Sequence, residues 1–493
     1  APPKPAGCTK PAVGRGAGLG RGWEFRPMTL ALALIAGPAA AGDDMKAVLA
    51  EMKRLADRVE ALEMQNKELE KSLATERISE KEPELTTRLK AIEFQTLSMQ
   101  KQARQIEALE GISVGASLTG VGQRANRDGV AGGTSRQSRA NYRGDVSVTL
   151  PGGEMGDIEG KIFTHFRFGQ GDGLGLRPTY TSTPNTTAFQ VSGVSDADSS
   201  FAILAQAWYQ LKVPLPRDGI KAQSKEHLHF TFGKIDPFVF FDQNAAADDE
   251  TTKFLNNVFV HNPLLDSGGD TGADRYGFAP GAIFQYVNER NKSETWGLSL
   301  GAFGSGPGAN FSGSLGQPFV IAQADTTWRF NHLPGNYRAY AWTNGRATDY
   351  TGVENRHSGF GMSVDQKVTD YVTLFGRYGH QGAGKVRFDR AVTLGTEITG
   401  SAWGRGADSV GMAAGYLRTS ASYHRASPTL DLDHDGVLDP VASGWERNYE
   451  IYYRIKVNSR LELTPDFQLI QHPGGDGGAP LVKVLGLRAR IGI

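Results

Sequence analysis

The sequence predicts an all-β transmembrane fold: a closed antiparallel β-barrel of about 16 strands, preceded by an α-helical coiled coil. Three observations predict it. Period-two alternation of apolar and polar residues runs from Gly111 to the C-terminus. A heptad pattern occupies the stretch before it. No run reaches the ~18 consecutive apolar residues that a membrane helix needs, so a membrane must be crossed by strands. Composition agrees. Glycine takes 62 of 493 positions, nearly twice the usual ~7 %. The 53 basic and 53 acidic residues cancel. That excludes a nucleic-acid binder working by bulk attraction, which needs a basic excess. Length alone would suggest about three globular domains, but residue types are not distributed that way.

The N-terminus reads as an export leader, residues 1–41. Residues 1–27 are rich in Pro, Gly and Arg without periodicity. Met28 to Ile35 is a short apolar run, and Ala39 and Ala41 fit an A-x-A cleavage site, giving a mature start at Gly42. Arg21 and Arg26 supply the positive flank, so translation is expected to begin upstream of Met28. Cys8, the single cysteine, precedes the apolar run. It rules out a disulfide framework and a CxxC zinc site, and it leaves the mature chain without cysteine.

Residues 42–110 read as a periplasmic coiled coil. Met45, Val48, Met52, Leu55, Val59, Leu62, Asn66, Leu69 and Leu73 alternate spacings of three and four. This is a seam that a lone helix cannot bury, and it calls for a second copy of the chain. Asn66 falls on an a-type position, where one polar residue fixes register. Pro83 interrupts the helix. Leu85, Leu89, Ile92, Thr96, Met99, Ala103 and Ile106 resume the pattern, and Gly111 ends it. The two helices would span roughly 95 Å at 1.5 Å per residue, enough to reach from a membrane toward the cell wall.

Residues 111–493 read as the barrel. Leu485, Leu487, Ala489, Ile491 and Ile493 alternate with Gly486, Arg488, Arg490 and Gly492. Leu461, Leu463, Phe467 and Leu469 alternate with Glu462, Thr464, Asp466 and Gln468. Ile451, Tyr453, Ile455 and Val457 oppose Glu450, Tyr452, Arg454 and Lys456. Val146, Val148 and Leu150 oppose Asp145, Ser147 and Thr149, and Ile162, Phe166 and Phe168 oppose Lys161, His165 and Arg167. A soluble sandwich shows the same alternation. Against it stand the long succession of strands without helices, the aromatic ends at Trp296, Trp328, Trp445 and Tyr449, and long side chains of both signs on the polar faces. Those features suit lipid headgroups outside and a watered lumen inside. About 24 residues per strand and connection matches ~10-residue spanning strands with turns short on one side and long on the other. Only closure satisfies every backbone amide in hydrocarbon, where each unpaired group costs several kcal/mol.

Two motifs carry the reading further. The first is Gly233-Lys-Ile-Asp236-Pro-Phe-Val-Phe-Phe-Asp242-Gln-Asn244-Ala-Ala-Ala-Asp248-Asp249-Glu250-Thr251-Thr-Lys-Phe254-Leu-Asn256. The second is Tyr449-Glu450-Ile-Tyr452-Tyr453-Arg454, then Leu463-Thr-Pro465-Asp466-Phe467-Gln468, His472-Pro473-Gly474-Gly475 and Gly486-Leu-Arg488. Together they resemble the carbohydrate-selective porins of the OprB family over roughly residues 112–493, with the coiled coil outside the core family pattern. The resemblance implies a sixteen-stranded barrel in the bacterial outer membrane that admits sugars by diffusion. It does not fix the solute, because porin folds host several selectivities.

Alternation nominates the lumen residues Lys161, His165, Arg167, Arg329, Arg338, Arg377, Glu450, Arg454, Lys456, Asp466, Arg488 and Arg490. Arginine donors facing carboxylate acceptors can orient a hydroxylated solute, although most such residues line water and pair with one another. Trp208, Tyr340 and Trp342 offer platforms for a sugar face. In the first motif, Asp236, Asp242, Asn244, Asp248, Glu250 and Asn256 read mainly as caps of an inward or rim loop. Asp248 to Asn256 is helix-capable with an acidic first turn. Asp431, Asp433, Asp435 and Asp439 have the DxDxDG spacing of a Ca2+ loop. Ala442 stands where the twelfth-position Glu belongs, so an acidic surface turn is the stronger reading.

No HExxH, GxSxG or P-loop is present, and Gly169-Gln-Gly171-Asp-Gly173 lacks a strand–helix context, so no enzyme and no required cofactor is expected. The expected function is passive diffusion of sugars and similar small polar solutes, by an oligomer, trimeric by expectation, that the coil assembles. The alternatives are a general or anion-preferring porin and a tether from outer membrane to cell wall. A barrel hydrolase is the remaining class.

Overall fold

The computed structural model describes residues 53, 54, 57, 58, 60–67, 111–129, 134–176, 184–188, 199–215, 224–265, 276–306, 311–431 and 438–492. The chain divides into two units, Ala1–Ala108 and Leu109–Ile493. In the first, residues 60–67 are α-helical, with Leu62 and Asn66 exposed. The leader, Cys8 and the rest of the heptad seam lie outside the described residues, as does Ile493.

The second unit is a closed barrel in which every strand pairs antiparallel with its sequence neighbour. The strands are β1 Ser113–Ala125, β2 Gln137–Met155, β3 Ile158–Gln170, β4 Phe201–Leu215, β5 Glu226–Ile235, β6 Ala279–Asn288, β7 Trp296–Phe303 and β8 Phe319–Phe330. There follow β9 Leu333–Thr348, β10 Glu354–Lys367, β11 Val372–Ala383, β12 Phe388–Thr399, β13 Ser409–Thr419, β14 Trp445–Lys456, β15 Leu461–Gln471 and β16 Val482–Gly492. β16 closes on β1, from Ser117 opposite Gly492 to Ala125 opposite Val484. No edge remains to be solvated, as a hydrocarbon environment requires.

The alternation settles which face is which. On β16, Leu485, Leu487 and Ile491 are exposed on the outside while Arg488 is 1 % exposed inside. Trp296, Trp328 and Trp445 are exposed on the outer face at strand ends. One end of the barrel has short turns. Asn331 and His332 both take positive φ between β8 and β9, the two-residue hairpin geometry that matches strand twist. The other end has the longer connections.

The inner face departs from a simple polar lining. Tyr340, Trp342, Phe375 and Tyr452 point inward and are buried. Each lies across from a glycine of the neighbouring strand: Gly361, Gly359, Gly395 and Gly411. A Cβ at any of these glycines would come within about 2.4 Å of the ring. Glycine is thus the residue that lets a ring lie flat on the wall. The rings join Ile283, Phe303, Phe319 and Ile321 in an apolar core inside the barrel, completed by Phe241, Phe254, Val258 and Phe259 from the connection between β5 and β6.

Candidate functional site

The connection 236–278 contains most of the first motif, Gly233–Asn256, and its described stretch 236–265 folds inward and is pinned to the wall. Asp236 caps a 3-10 turn, Pro237–Val239, by accepting from Phe238 N. Burial pushes its carboxyl up, against the pull of His261 and the Phe238 amide. Asp242 is fully buried, with φ 55°. It accepts from Tyr340 Oη at 2.7 Å and from Asn262 N at 2.6 Å, and Arg377 Nε lies at 3.2 Å. Its own amide donates to Gln323 Oε1. Asn244 donates to Ser363 Oγ and Val364 O, and Ala245 N donates to Asp365. This half of the loop is held by β8 to β11.

The other half is held by β14 to β16 and β2. Glu450 accepts from Leu255 N at 2.6 Å and Asn256 N at 2.9 Å. Asn256 reaches Gln468, which also donates to Pro184 O of the β3–β4 connection. Arg488 Nη1 donates to the carbonyls of Glu250 and Lys253 at 2.9 and 2.7 Å. Arg143 Nη1 donates to Glu250 Oε1 at 2.7 Å, and its Nε to Asp145. Asp145 also receives Arg167 Nε at 2.8 Å and pairs with His165 Nε2 at 2.9 Å. Asp248 pairs with Lys253 at 3.4 Å.

These contacts sort the nominated lumen residues. Arg377, Glu450 and Arg488 are buried beneath the loop and hold it in place. His165 and Arg167 join in the Asp145 cluster, and Arg338 pairs with Asp365 at 3.0 Å. Lys161 Nζ lies 5.1 Å above the Trp208 ring. Arg329 sits at the β8–β9 turn and donates to His332 O. Lys456 pairs with Glu462 at 2.7 Å, and Asp466 accepts from Gln468. Arg454 and Arg490 stand on the inner faces of β14 and β16. The three aromatic platforms are covered: Trp208 stacks on Phe163 at 4.8 Å and meets Phe240 edge-on, and Tyr340 and Trp342 are in the apolar core.

Of the loop carboxylates, Asp236 caps a turn, whereas Asp242 and Glu250 pair with Arg377 and Arg143 of the wall, and the expected helix is corrected. Residues 248–256 form turns rather than a helix. The α-helix is Asn257–Val260, and Asn256 is its N-cap. The reason is local: the Asp249 carboxylate takes Thr251 N, Thr251 Oγ1 and Thr252 Oγ1, and such side-chain turns compete with helical bonding. Burial raises that carboxyl, but the threonine donors outweigh it and hold it below its ordinary value. In the candidate Ca2+ loop, Asp433 and Asp435 lie outside the described residues, and Asp439 N donates to Leu430 O. Among the described residues no group of three or more His, Cys, Asp or Glu is placed to hold a metal.

The sequence reading did not single out Arg143, Asp145, Gln323, Ser363, Asp365 or Asn262 as functional. For the five strand residues the signal is the inward register of β2, β8 and β10, where a polar residue has a partner that only the fold brings near, while Asn262 lies in the loop itself.

The family described as carbohydrate-selective porin, OprB family, matches residues 86–492. The match begins inside the second heptad segment rather than at 112. No curated protein matches. Among solved structures, the high-pH form of OprB from Pseudomonas putida is 17 % identical, with 79 % of this chain and 96 % of that chain covered and a TM-score of 0.63. Its low-pH form is 16 % identical over 80 % and 96 % of the two chains, with a TM-score of 0.43. A mutant of the Rh. blastica porin is 12 % identical over 78 % and 100 %, with a TM-score of 0.41. A barrel of sixteen strands, its inward loop and a family match over most of the chain agree: the chain belongs to the carbohydrate-selective porins of the OprB family.

Proposed function

We propose that the protein is a passive outer-membrane pore through which carbohydrates and similar small polar solutes diffuse down their gradients. One observation carries the reading. The loop 236–265 is fixed inside the barrel by side chains from both walls, from Asp242 on Arg377 to Glu250 on Arg143. A lumen crossed by a fixed loop sorts solutes by shape and hydrogen bonding, and charged side chains around it supply donors and acceptors for hydroxyl groups. Family and fold are those of a channel, and no chemistry on a substrate is needed to account for the site.

Liposome swelling with the purified protein tests this. Mono-, di- and trisaccharides are compared with amino acids and salts of equal size. Faster entry of sugars than of size-matched solutes is expected, and entry ordered by size alone would make the protein a general porin.

The heptad segment supports a second element of the proposal. Exposed Leu62 on a helical stretch fits a coil that joins copies of the chain, trimeric in our reading, and could also tie the barrel to the cell wall. Deleting residues 43–110 should lower the oligomeric state in detergent. Unchanged attachment of the membrane to the wall after that deletion would remove the tether.

A further inference from the structure

The outer face of the barrel is not apolar everywhere. Toward the end with the longer connections, β12, β13, β14, β16 and β1 carry Arg390, Arg418, Arg447, Lys483 and Arg124, each within three residues of the end of its strand. Their sequence neighbours settle the direction. Ala391, Leu417, Glu446, Val484 and Ala125 are at most 1 % exposed and face inward, so the five cations face out. Across the barrel, on β7 and β8, the corresponding positions hold Ala302 and Val320. Two tyrosines mark the depth. Tyr416 and Tyr449 stand two residues deeper than Arg418 and Arg447 on the same strands, with rings 6.1 Å apart. Deeper still are the exposed Met412 and Ile451 of the apolar band. Outward tyrosine rings sit at the headgroup level, and longer connections mark the extracellular side. The cations therefore lie among the headgroups of the outer leaflet.

These cations outnumber their partners. Arg390 is directly opposite Arg418, a position in which like charges repel. Arg447 is opposite Tyr416, one diagonal from Arg418, which is about 7–8 Å. Lys483 and Arg124 form a second diagonal pair, since Arg124 is opposite Leu485. Asp389, at the register shift that opens β12, takes Arg418 Nε at 2.9 Å and Nη2 at 2.6 Å. Among the described residues it is the one carboxylate on the outer faces of β12 to β16 and β1. Asp431 and Asp439 of the β13–β14 connection have partners of their own. Arg390, Arg447, Lys483 and Arg124 are exposed and make no ion pair among the described residues. Three guanidiniums on three neighbouring strands thus share one carboxylate. A second copy of this face would repel it. Phosphate is the anion that the headgroup layer offers at this depth, and guanidinium binds it through two parallel hydrogen bonds.

We infer that Arg390, Arg418 and Arg447, flanked by Lys483 and Arg124, bind the phosphate of an outer-leaflet lipid whose acyl chains lie along the apolar band below Tyr416 and Tyr449. The inference rests on the fold and on the charges of the outer face, and it does not depend on which solute the lumen passes.

The test is native mass spectrometry of the full-length protein in nonionic detergent, titrated with lipid A and with its dephosphorylated form. Lipid A should bind more tightly, by about tenfold or more, the scale of one charge-assisted contact. R390Q/R447Q leaves the Arg418–Asp389 pair intact and should weaken lipid A binding by about tenfold, with binding of the dephosphorylated lipid unchanged. D389N frees the Arg418 guanidinium and should strengthen lipid A binding, a change of opposite sign that a merely structural role for the arginines would not produce. Should R390Q/R447Q fail to insert, R447Q alone, at an exposed residue without an ion pair, should give a weaker shift of the same sign. Entry of sugars into liposomes should be the same in every variant. Equal binding of the two lipids, or lipid A binding untouched by the variants, overturns the site. Displacement of lipid A by an equal concentration of inorganic phosphate would make the patch a site for the free anion and overturn the lipid. A lower oligomeric state in R390Q/R447Q with lipid binding unchanged would assign the face to contact between copies, and that too overturns the inference.

Discussion

Leu487 and Arg488 are neighbours on β16 and opposites in physical terms. Leu487 is 53 % exposed on the outer face, and Arg488 is buried with its guanidinium on two loop carbonyls. The outer face needs only to be apolar, because lipid offers no specific partner and the strand's own amides are paired. The inner face needs particular residues, because Arg377, Glu450, Arg488 and Arg143 each meet a particular atom of the loop 236–265. One strand thus carries a tolerant face and an exacting one, one residue apart.

The sharpest way to break this contrast is at Asp242. D242A leaves Arg377 buried without its carboxylate and removes the acceptor of Tyr340 and Asn262. Stripping one partner from a buried ion pair costs about 3–5 kcal/mol. The loop should come off β9 and β11, so single-channel conductance should rise and current noise with it, while the barrel still inserts. Unchanged conductance would mean that the loop is held without this hub.

Next in size is the outer face. Leu487 is midway along Val482–Gly492, at the depth where an outward arginine costs about 2–4 kcal/mol. L487R should lower the unfolding midpoint in lipid or detergent with conductance per channel unchanged, whereas L487F should change neither. Loss of conductance in L487R would tie the outer face to the loop and undo the contrast.

The two faces also differ in how far the sequence discloses them. Strand number, closure and the outward leucines of β16 follow from alternation, since apolar-out is a rule that each residue obeys alone. The inner face obeys pairing rules, and its pairs are far apart in the chain: Asp242 with Arg377, Leu255 and Asn256 with Glu450, Glu250 with Arg143. Polarity marked Arg377, Glu450 and Arg488 as inward, and so they are. It did not disclose that they hold a loop, because that depends on 236–265 turning into the barrel. The inward rings show the same limit. Tyr340 and Trp342 read as exposed platforms until Phe241, Phe254 and Phe259 of the loop are packed into the same core.

A smaller effect sharpens the account of the exacting face. E450Q keeps the size of the side chain and one good acceptor for the amides of Leu255 and Asn256, but brings an NH2 group to the second. One buried hydrogen bond lost with its donor left unpaired costs about 1–3 kcal/mol. Conductance should rise less than in D242A, and the double variant should exceed the sum of the two if both ends clamp one rigid loop. Strict additivity would mean that the halves of the loop move independently.

The smallest expected effect is a pH dependence inside the loop. The Asp249 carboxyl is pushed up by burial, yet the Thr251 hydroxyl and amide and the Thr252 hydroxyl bring it below its ordinary value. A carboxyl lowered on folding contributes stability that is fully present above its unfolded value of ~3.9 and is lost as pH falls through the folded value. Conductance should therefore be constant on this account from neutral pH down to about pH 4 and rise only in stronger acid. T251V removes the hydroxyl donor, moves the folded value toward the unfolded one and should weaken the acid response. D249N should abolish it, because an amide does not titrate. A rise in conductance that begins near neutrality and persists in D249N would place the titrating group elsewhere on the wall, and it would leave Asp249 as a turn-forming residue whose charge the loop does not need.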